Sequence, residues 1–302
     1  MKINQIILIL FFIISVYSIK QPTLNQAVVV NLSRYWLNYR HSVSGTLIYN
    51  TLKRLGYDDD QILFFMPDDH ACHPRNIFPG ELRVNENYPN IYNDIIVDYK
   101  GRDVSIDKFM RAMLGRDRKG TPDSLRVGRG KNTFVYLIGH GGEGFMKFQN
   151  REEITSHDIA YMYKEMEIMK RYQELMFIVD TCQATSLSDR ITSKNIITVG
   201  SSITGLSSYS GFVSSKISAI TSDLWDQYQD VFFQTIDKDS NVTVQDYLDY
   251  FNEPMLQTIH GWRSDLYPKR LDQTKMNDFL GDIPVKHEIK LDSIPWDEDM
   301  FD

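Results

Sequence analysis

Cysteine is nearly absent from this chain: its 302 residues include two, Cys72 and Cys182. Two cysteines exclude a fold stapled by a disulfide framework. Positive charge is also short, with 33 Lys and Arg against 40 Asp and Glu and a formal net charge of −7. No net basic field recruits phosphate, which argues against a nucleic-acid partner; solubility is the simpler role of the acidity. Long apolar runs are scarce. One spans Ile6 to Ile14, with Lys2 before it and Val16-Tyr17-Ser18 after it. That pattern reads as a secretory signal peptide over residues 1–18, too short and poorly flanked to span a bilayer, with an uncleaved N-terminal anchor as the alternative. No later run approaches the roughly 20 apolar residues of a transmembrane helix. The mature chain is therefore expected to enter the secretory pathway without spanning a membrane itself. Internal repeats are lacking as well.

What remains is an ordinary globular composition, 42% hydrophobic and 24% charged. It suffices for one large α/β domain, placed at residues 19–285, with residues 286–302 as an acidic tail. Four short apolar runs read as strands buried on both faces: 26–31, 61–66, 133–139 and 174–179. A fifth covers 195–199. Between them lie helical patterns near 44–55, 105–114 and 156–172. Ser105 and Gly115 supply the cap and stop of the second helix. Alternating β and α segments with fully apolar strands predict a mostly parallel sheet flanked by helices on both faces. Residues 68–95, rich in Pro and Asn, read as a long structured loop. Residues 116–131 form a basic loop that is read as solvated rather than lipid-binding.

Two motifs fail on inspection. Asp237-Lys238-Asp239 opens like a calcium-binding EF-hand loop, but Val242 and Leu248 stand where glycine and a bidentate glutamate are required. It reads better as a turn into a helix capped by Thr243. A zinc site at His70, Cys72 and His73 has spacing too tight for common zinc frameworks. Two glycosylation sequons, at Asn31 and Asn241, remain; only the second is expected to be accessible.

Chemistry concentrates at two strand ends. One apolar run leads into His140-Gly141-Gly142, the other into Asp180-Thr181-Cys182. In parallel sheets the functional crevice lies beyond the carboxyl ends of the strands. The 42-position separation of His140 and Cys182 suits one strand–helix–strand crossover. A base and a thiol nucleophile would then share one rim, with the amide after His140 as an oxyanion donor. If Cys182 is a free thiol, Cys72 lacks an internal partner. It then forms an intermolecular disulfide or is an exposed thiol, against the plainer reading of a small buried hydrophobe; a Cys72–Cys182 bridge is a further option and would abolish thiol chemistry.

Several segments together resemble one family. They are Gly139-His140-Gly141-Gly142-Glu143-Gly144, Phe177-Ile178-Val179-Asp180-Thr181-Cys182-Gln183, Arg34-Tyr35-Trp36-Leu37-Asn38-Tyr39-Arg40-His41, Asp68-Asp69-His70-Ala71-Cys72-His73 and Arg263-Ser264-Asp265-Leu266. Taken in chain order, from about Ala27 to Gly281, they resemble the catalytic subunits of GPI-anchor transamidases, a legumain-like branch of the caspase-fold cysteine peptidases. The resemblance implies a caspase-like three-layer sandwich. It implies Cys182 as nucleophile, His140 as general base and Asn38 as the residue orienting the imidazole. Gly141 and Cys182 would supply the oxyanion amides, and Arg40, Asp180, Ser201 and Ser202 the pocket before the scissile bond. Cys72 would tether another subunit through a disulfide.

The implied reaction is acyl transfer from a precursor protein, losing its C-terminal signal, to the ethanolamine-phosphate amine of a GPI glycolipid. The implied setting is the endoplasmic reticulum lumen, with membrane attachment through partner subunits. Gly200 and Trp262 depart from residues common in relatives. Asp59 and Asp98 match two positions of a calcium site found in some members, but Ile96 replaces an acidic ligand, so no cofactor is expected. The competing readings are a legumain-like endopeptidase with water as acceptor and a non-catalytic scaffold of the complex.

Overall fold

The computed structural model describes residues 25–281, apart from 117–118 and 129–130. The leader at 1–18, the acidic tail at 286–302, and Asp117, Arg118 and Arg129 of the basic loop lie outside the described residues. The strands in chain order begin with β1 (Gln26–Asn31), β2 (Ile62–Met66), β3 (Tyr99–Lys100) and β4 (Lys131–Ile138). A small antiparallel sheet follows, β5 (Gly141–Gly142), β6 (Phe145–Phe148) and β7 (Glu152–Thr155). Then come β8 (Tyr172–Asp180), β9 (Ile196–Gly200), a hairpin of β10 (Val213–Ser214) and β11 (Ala219–Ile220), and β12 (Gly261–Arg263). The main helices are α1 (Tyr39–Arg54), α2 (Ile106–Leu114), α3 (Ser156–Ile168), α4 (Leu224–Gln234) and α5 (Val244–Tyr250).

The central sheet has seven strands in the order β12-β9-β8-β4-β1-β2-β3. All neighbours run parallel except β12, which pairs antiparallel with β9. Side chains alternate across the pleat, so each strand feeds two cores. From β1, Ala27 and Val29 pack with Ile48 and Leu52 of α1 and with Trp225 and Phe233 of α4. Val28 and Val30 face the other way, onto Phe109 and Met113 of α2 and Ile159, Met162 and Met166 of α3. Phe134 and Tyr136 of β4 alternate with Val135 and Leu137 in the same manner. The expected mostly parallel sheet with helices on both faces is therefore present.

Element boundaries differ in instructive places. α1 starts at Tyr39, five residues before the predicted Ser44, and buries Tyr39, His41, Ser42 and Val43. Its first turns lack an apolar stripe because their polar groups are satisfied from outside the helix. Ser42 binds Asn31 and His70, and Ser44 binds Asp226. α3 stops at Ile168 instead of Tyr172, since Lys170 turns into the left-handed region at φ 53° and Tyr172 already belongs to β8. The three-residue edge strand β12 is too short to leave a periodic signal. The 68–95 loop holds its own small core, where Leu82, Val84 and Ile91 meet Trp36, Tyr39 and Val43.

The rejected EF-hand segment is a capped helix start. Asp246 N donates to Thr243 Oγ1 at 3.1 Å, and Thr243 N donates back to Asp246 Oδ2 at 2.8 Å. Asn31 is fully buried and Asn241 is exposed, as expected for the two sequons. Among the described residues no helix is long and apolar enough to cross a membrane. Thr243→Ala removes the reciprocal cap and is expected to cost about 1 kcal/mol, read as a drop of a few degrees in melting temperature. An unchanged melt would show that α5 is held by its buried face alone.

Candidate active site

The register of two strands places His140 and Cys182 next to each other on one rim of the sheet. Ile138 of β4 pairs with Asp180 of β8, and Gly139 N donates to the Asp180 carbonyl at 3.2 Å. His140 and Cys182 each follow that pair by two residues. They therefore leave adjacent strands at the same height on the carboxyl rim. β1 flanks β4 on its other side, and the chain leaving β1 turns through a short helical turn at Trp36–Asn38. That turn delivers Asn38 to His140, with Asn38 Oδ1 at 2.8 Å from His140 Nε2.

This contact fixes the proton. Asn38 is buried, and its Nδ2 donates to the Arg34 carbonyl at 2.6 Å. Its Oδ1 is then the acceptor toward the ring, so Nε2 carries the hydrogen and Nδ1 keeps the lone pair. Burial lowers the His140 pKa below its ordinary value, helped by the charges of Arg40 and Lys147. The ring is thus neutral near pH 7 and offers an acceptor nitrogen. That is the state a base needs beside a thiol.

Cys182 is half-buried, with Sγ at 3.9 Å from the Ser208 carbonyl. Its backbone is held on both sides. Ser202 Oγ donates to the Thr181 carbonyl at 2.8 Å, and Ser201 Oγ accepts from Thr181 N at 3.2 Å. Gln183 adopts φ 56° and donates to the Leu206 carbonyl at 2.8 Å. Among the described residues the Cys182 amide has no acceptor. Gly141 lies between hydrogen-bonded pairs of the β5–β6 ladder, since Lys147 N donates to the His140 carbonyl at 2.8 Å. Its own amide therefore points away from β6. A Cβ at Gly141 would sit 2.6 Å from the Phe145 carbonyl and 2.7 Å from Thr181 Oγ1, so only glycine permits this approach. The amides of Gly141 and Cys182 thus both lie outside the hydrogen-bonded ladders and turns around them.

The four predicted pocket residues divide in two. Arg40 Nε reaches Asp223 Oδ1 at 2.8 Å, and Asp180 accepts from Ser208 Oγ at 2.9 Å; both belong to one polar wall. Ser201 and Ser202 are fully buried, with hydroxyls spent on the segment that carries Cys182. They shape the wall from behind.

The peptidase C13 family model matches residues 25–280. The chain belongs to the peptidase C13 family. It is 39% identical over 277 residues to the GPI-anchor transamidase of Saccharomyces cerevisiae, covering 90% of this chain and 67% of that one. It is 35% identical over 281 residues to the human GPI-anchor transamidase, covering 92% and 71%. Among solved structures, caspase-1 from Spodoptera frugiperda aligns at a TM-score of 0.49 and 12% identity, over 83% of this chain and 90% of that one.

Both cysteines of this C13 family member are free, which removes the Cys72–Cys182 bridge from consideration. Cys72 is exposed, and the neighbouring Asp69 carboxylate raises its thiol pKa. The zinc idea fails on geometry. His70 uses one ring nitrogen on Ser42 Oγ at 2.7 Å and the other on the Tyr35 carbonyl at 2.9 Å. A calcium ion does not fit Asp59 and Asp98 either. The Lys53 ammonium lies 2.7 Å from Asp59, which also accepts from Tyr49. Asp98 is spent on the Phe64 amide at 2.8 Å, and Ile96 is half exposed.

Sequence reading missed the inner layer of the wall. Asp223 sits at the N-cap of α4, where aspartate is common for local reasons alone, so nothing marked it. It also faces His41 Nε2 at 3.5 Å. Burial pushes the His41 pKa well below its ordinary value, with Arg40 and His140 adding to the effect. Asp180, Asp223 and Asp226 bring carboxylate oxygens within 4.8 Å of one another, all buried. Asp226 accepts from Ser44 Oγ and from the Tyr136 hydroxyl. Burial pushes Asp223 up to about 7 and Asp226 well above the usual carboxylate range, and repulsion from Asp180 adds to both. Arg40 and retained protons neutralise the set.

This fixes a sign for stability. Asp226 keeps a proton in the folded state that the unfolded chain loses above its ordinary pKa of about 4. Folding then takes up a proton, and stability falls with rising pH by about 1.4 kcal/mol per unit while that difference lasts. Asp226→Asn is expected to flatten the decline of melting temperature between pH 5 and 8. An equally steep decline in the variant would place the proton elsewhere.

Proposed function

We propose that this chain is the catalytic subunit of a GPI-anchor transamidase working through a cysteine thioester. The observation that carries the reading is the matched placement of His140 and Cys182 beyond paired strands, in a chain whose yeast and human relatives bear that name.

In this reading His140 Nδ1 takes the Cys182 proton, and the thiolate attacks the carbonyl carbon of the attachment residue. The amides of Gly141 and Cys182 receive the oxyanion, and Arg40 and Asp180 line the pocket for that residue, braced by Ser201 and Ser202. The C–N bond breaks, and the departing amine of the C-terminal signal takes the proton from His140. A thioester remains on Cys182. The ethanolamine-phosphate amine of the glycolipid then attacks it, gives a proton to His140, and releases the thiolate. Asn38 holds the ring tautomer in both halves of the cycle.

The leader at 1–18 would direct the chain to the lumen of the endoplasmic reticulum. Attachment to the membrane would rest on partner subunits. The exposed Cys72 thiol suits a disulfide to one of them.

Cys182→Ala and His140→Ala are each expected to abolish anchor attachment in cells lacking the native enzyme while leaving the fold intact. Surface display of GPI-anchored proteins by either variant would refute the assignment. Release of a soluble, unanchored product by the wild type would favour water as acceptor and an endopeptidase. Cys72→Ser is expected to remove a reducible higher-mass band on non-reducing gels, and a wild type without such a band would leave Cys72 untethered.

A further inference from the structure

Asn38 reaches His140 from a backbone that resists its own conformation. Tyr35 sits at φ 74° and ψ 151°, a region that only glycine adopts without strain. Its side chain is 51% exposed, so burial of the ring does not hold it there. Two groups from the segment after β2 grip its peptide units instead. Asp68 Oδ2 accepts from Tyr35 N at 2.8 Å, and His70 Nε2 lies 2.9 Å from the Tyr35 carbonyl.

The polarity of the His70 contact follows from its neighbours. The Tyr35 carbonyl can only accept, so in the neutral ring Nδ1 accepts the Ser42 hydrogen at 2.7 Å, while Asn31 Nδ2 donates to Ser42 Oγ at 2.9 Å. Nε2 then carries the ring hydrogen and donates to Tyr35 O. Burial lowers the His70 pKa, which keeps the ring in this neutral form. The same Tyr35 carbonyl accepts from Asn38 N at 2.9 Å, and the carbonyl of Arg34, just before it, accepts from Asn38 Nδ2 at 2.6 Å. The bend that Asp68 and His70 hold is therefore the one that aims Asn38. Ring contacts tighten the grip: Tyr39 meets His70 edge-on at 5.8 Å, and Trp36 stacks on His73 at 4.9 Å.

We propose that Asp68 and His70 are positioning residues: they clamp the strained bend at Tyr35 and through it fix the Asn38 side chain that orients His140. The proposal deepens the reading of His140 as a base and rests on it for its catalytic meaning. It adds a fourth neighbour to the row of strand ends, since β8, β4, β1 and β2 in sheet order lead to Cys182, His140, Asn38 and the clamp. The clamp lies in the segment that carries Cys72.

The test uses the full chain labelled with nitrogen-15, and long-range proton–nitrogen correlations that report the His140 tautomer and titration. The wild type is expected to show a single Nε2–H tautomer. Asp68→Ala, a change at a partly exposed site, and His70→Ala should both yield a tautomer mixture. In both, the His140 midpoint should move up toward that of a solvated imidazole. Tyr35→Gly, added to either variant, removes the strain and should restore the single tautomer, a rescue that general loosening would not give. An unchanged His140 in folded Asp68→Ala and His70→Ala, or no restoration by Tyr35→Gly, overturns the clamp. Alkylation of Cys182 in the same samples should slow about tenfold without the clamp. A His140→Ala control that leaves the alkylation pH profile unchanged would sink the base–thiol reading alone, because the tautomer measurement does not depend on Cys182.

Discussion

Burial of the parallel sheet on both faces is the constraint from which the rest follows. A strand covered on each side by helices has no room for an unpaired polar group along its length. Polar chemistry is driven to the strand ends, where the chain leaves the sheet and its amides and side chains come free. β1, β4 and β8 are apolar almost to their last residue, and each then releases a polar segment onto the same rim. Because the three strands are neighbours in register, Asn38, His140 and Cys182 emerge together although they lie far apart in the chain.

The same dryness sets the electrostatics. His41, His70 and His140 are all held below the ordinary imidazole pKa, chiefly by desolvation. The three carboxylates beside them are held above the ordinary range for the same reason. Neutral rings and shared protons cost less in this setting than separated charges. Asp223 and the Leu37 carbonyl accept from the guanidinium of Arg40. The wall next to Cys182 is thus polar without being strongly charged.

Much of this is legible in the amino-acid sequence. The strand runs at 26–31 and 133–139, the Ser105 and Thr243 caps and the long irregular loop all appear close to their predicted places. Local rules suffice there, since an apolar run or a capping box acts over a few residues. The start of α1 is not legible, because Ser42 and Ser44 look like surface residues until Asn31, His70 and Asp226 arrive to bind them. Asp223 and Asp226 escape notice for a related reason. Within α4 they look like an ordinary cap and an ordinary first-turn acid, and only the packing of α4 beside α1 buries them.

By itself the sequence determined the layered α/β architecture, the pairing of His140 with Cys182 and, through resemblance, the place of Asn38. Apolar periodicity and strand-end position are properties of short segments, so they survive in one dimension. Only the tertiary structure decided which nitrogen of His140 carries the proton, that the Ser201 and Ser202 hydroxyls bind the segment carrying Cys182, and that Tyr35 is held in strain from the end of β2. Those features depend on hydrogen bonds between residues brought together by the sheet, and spacing along the chain carries no record of their direction.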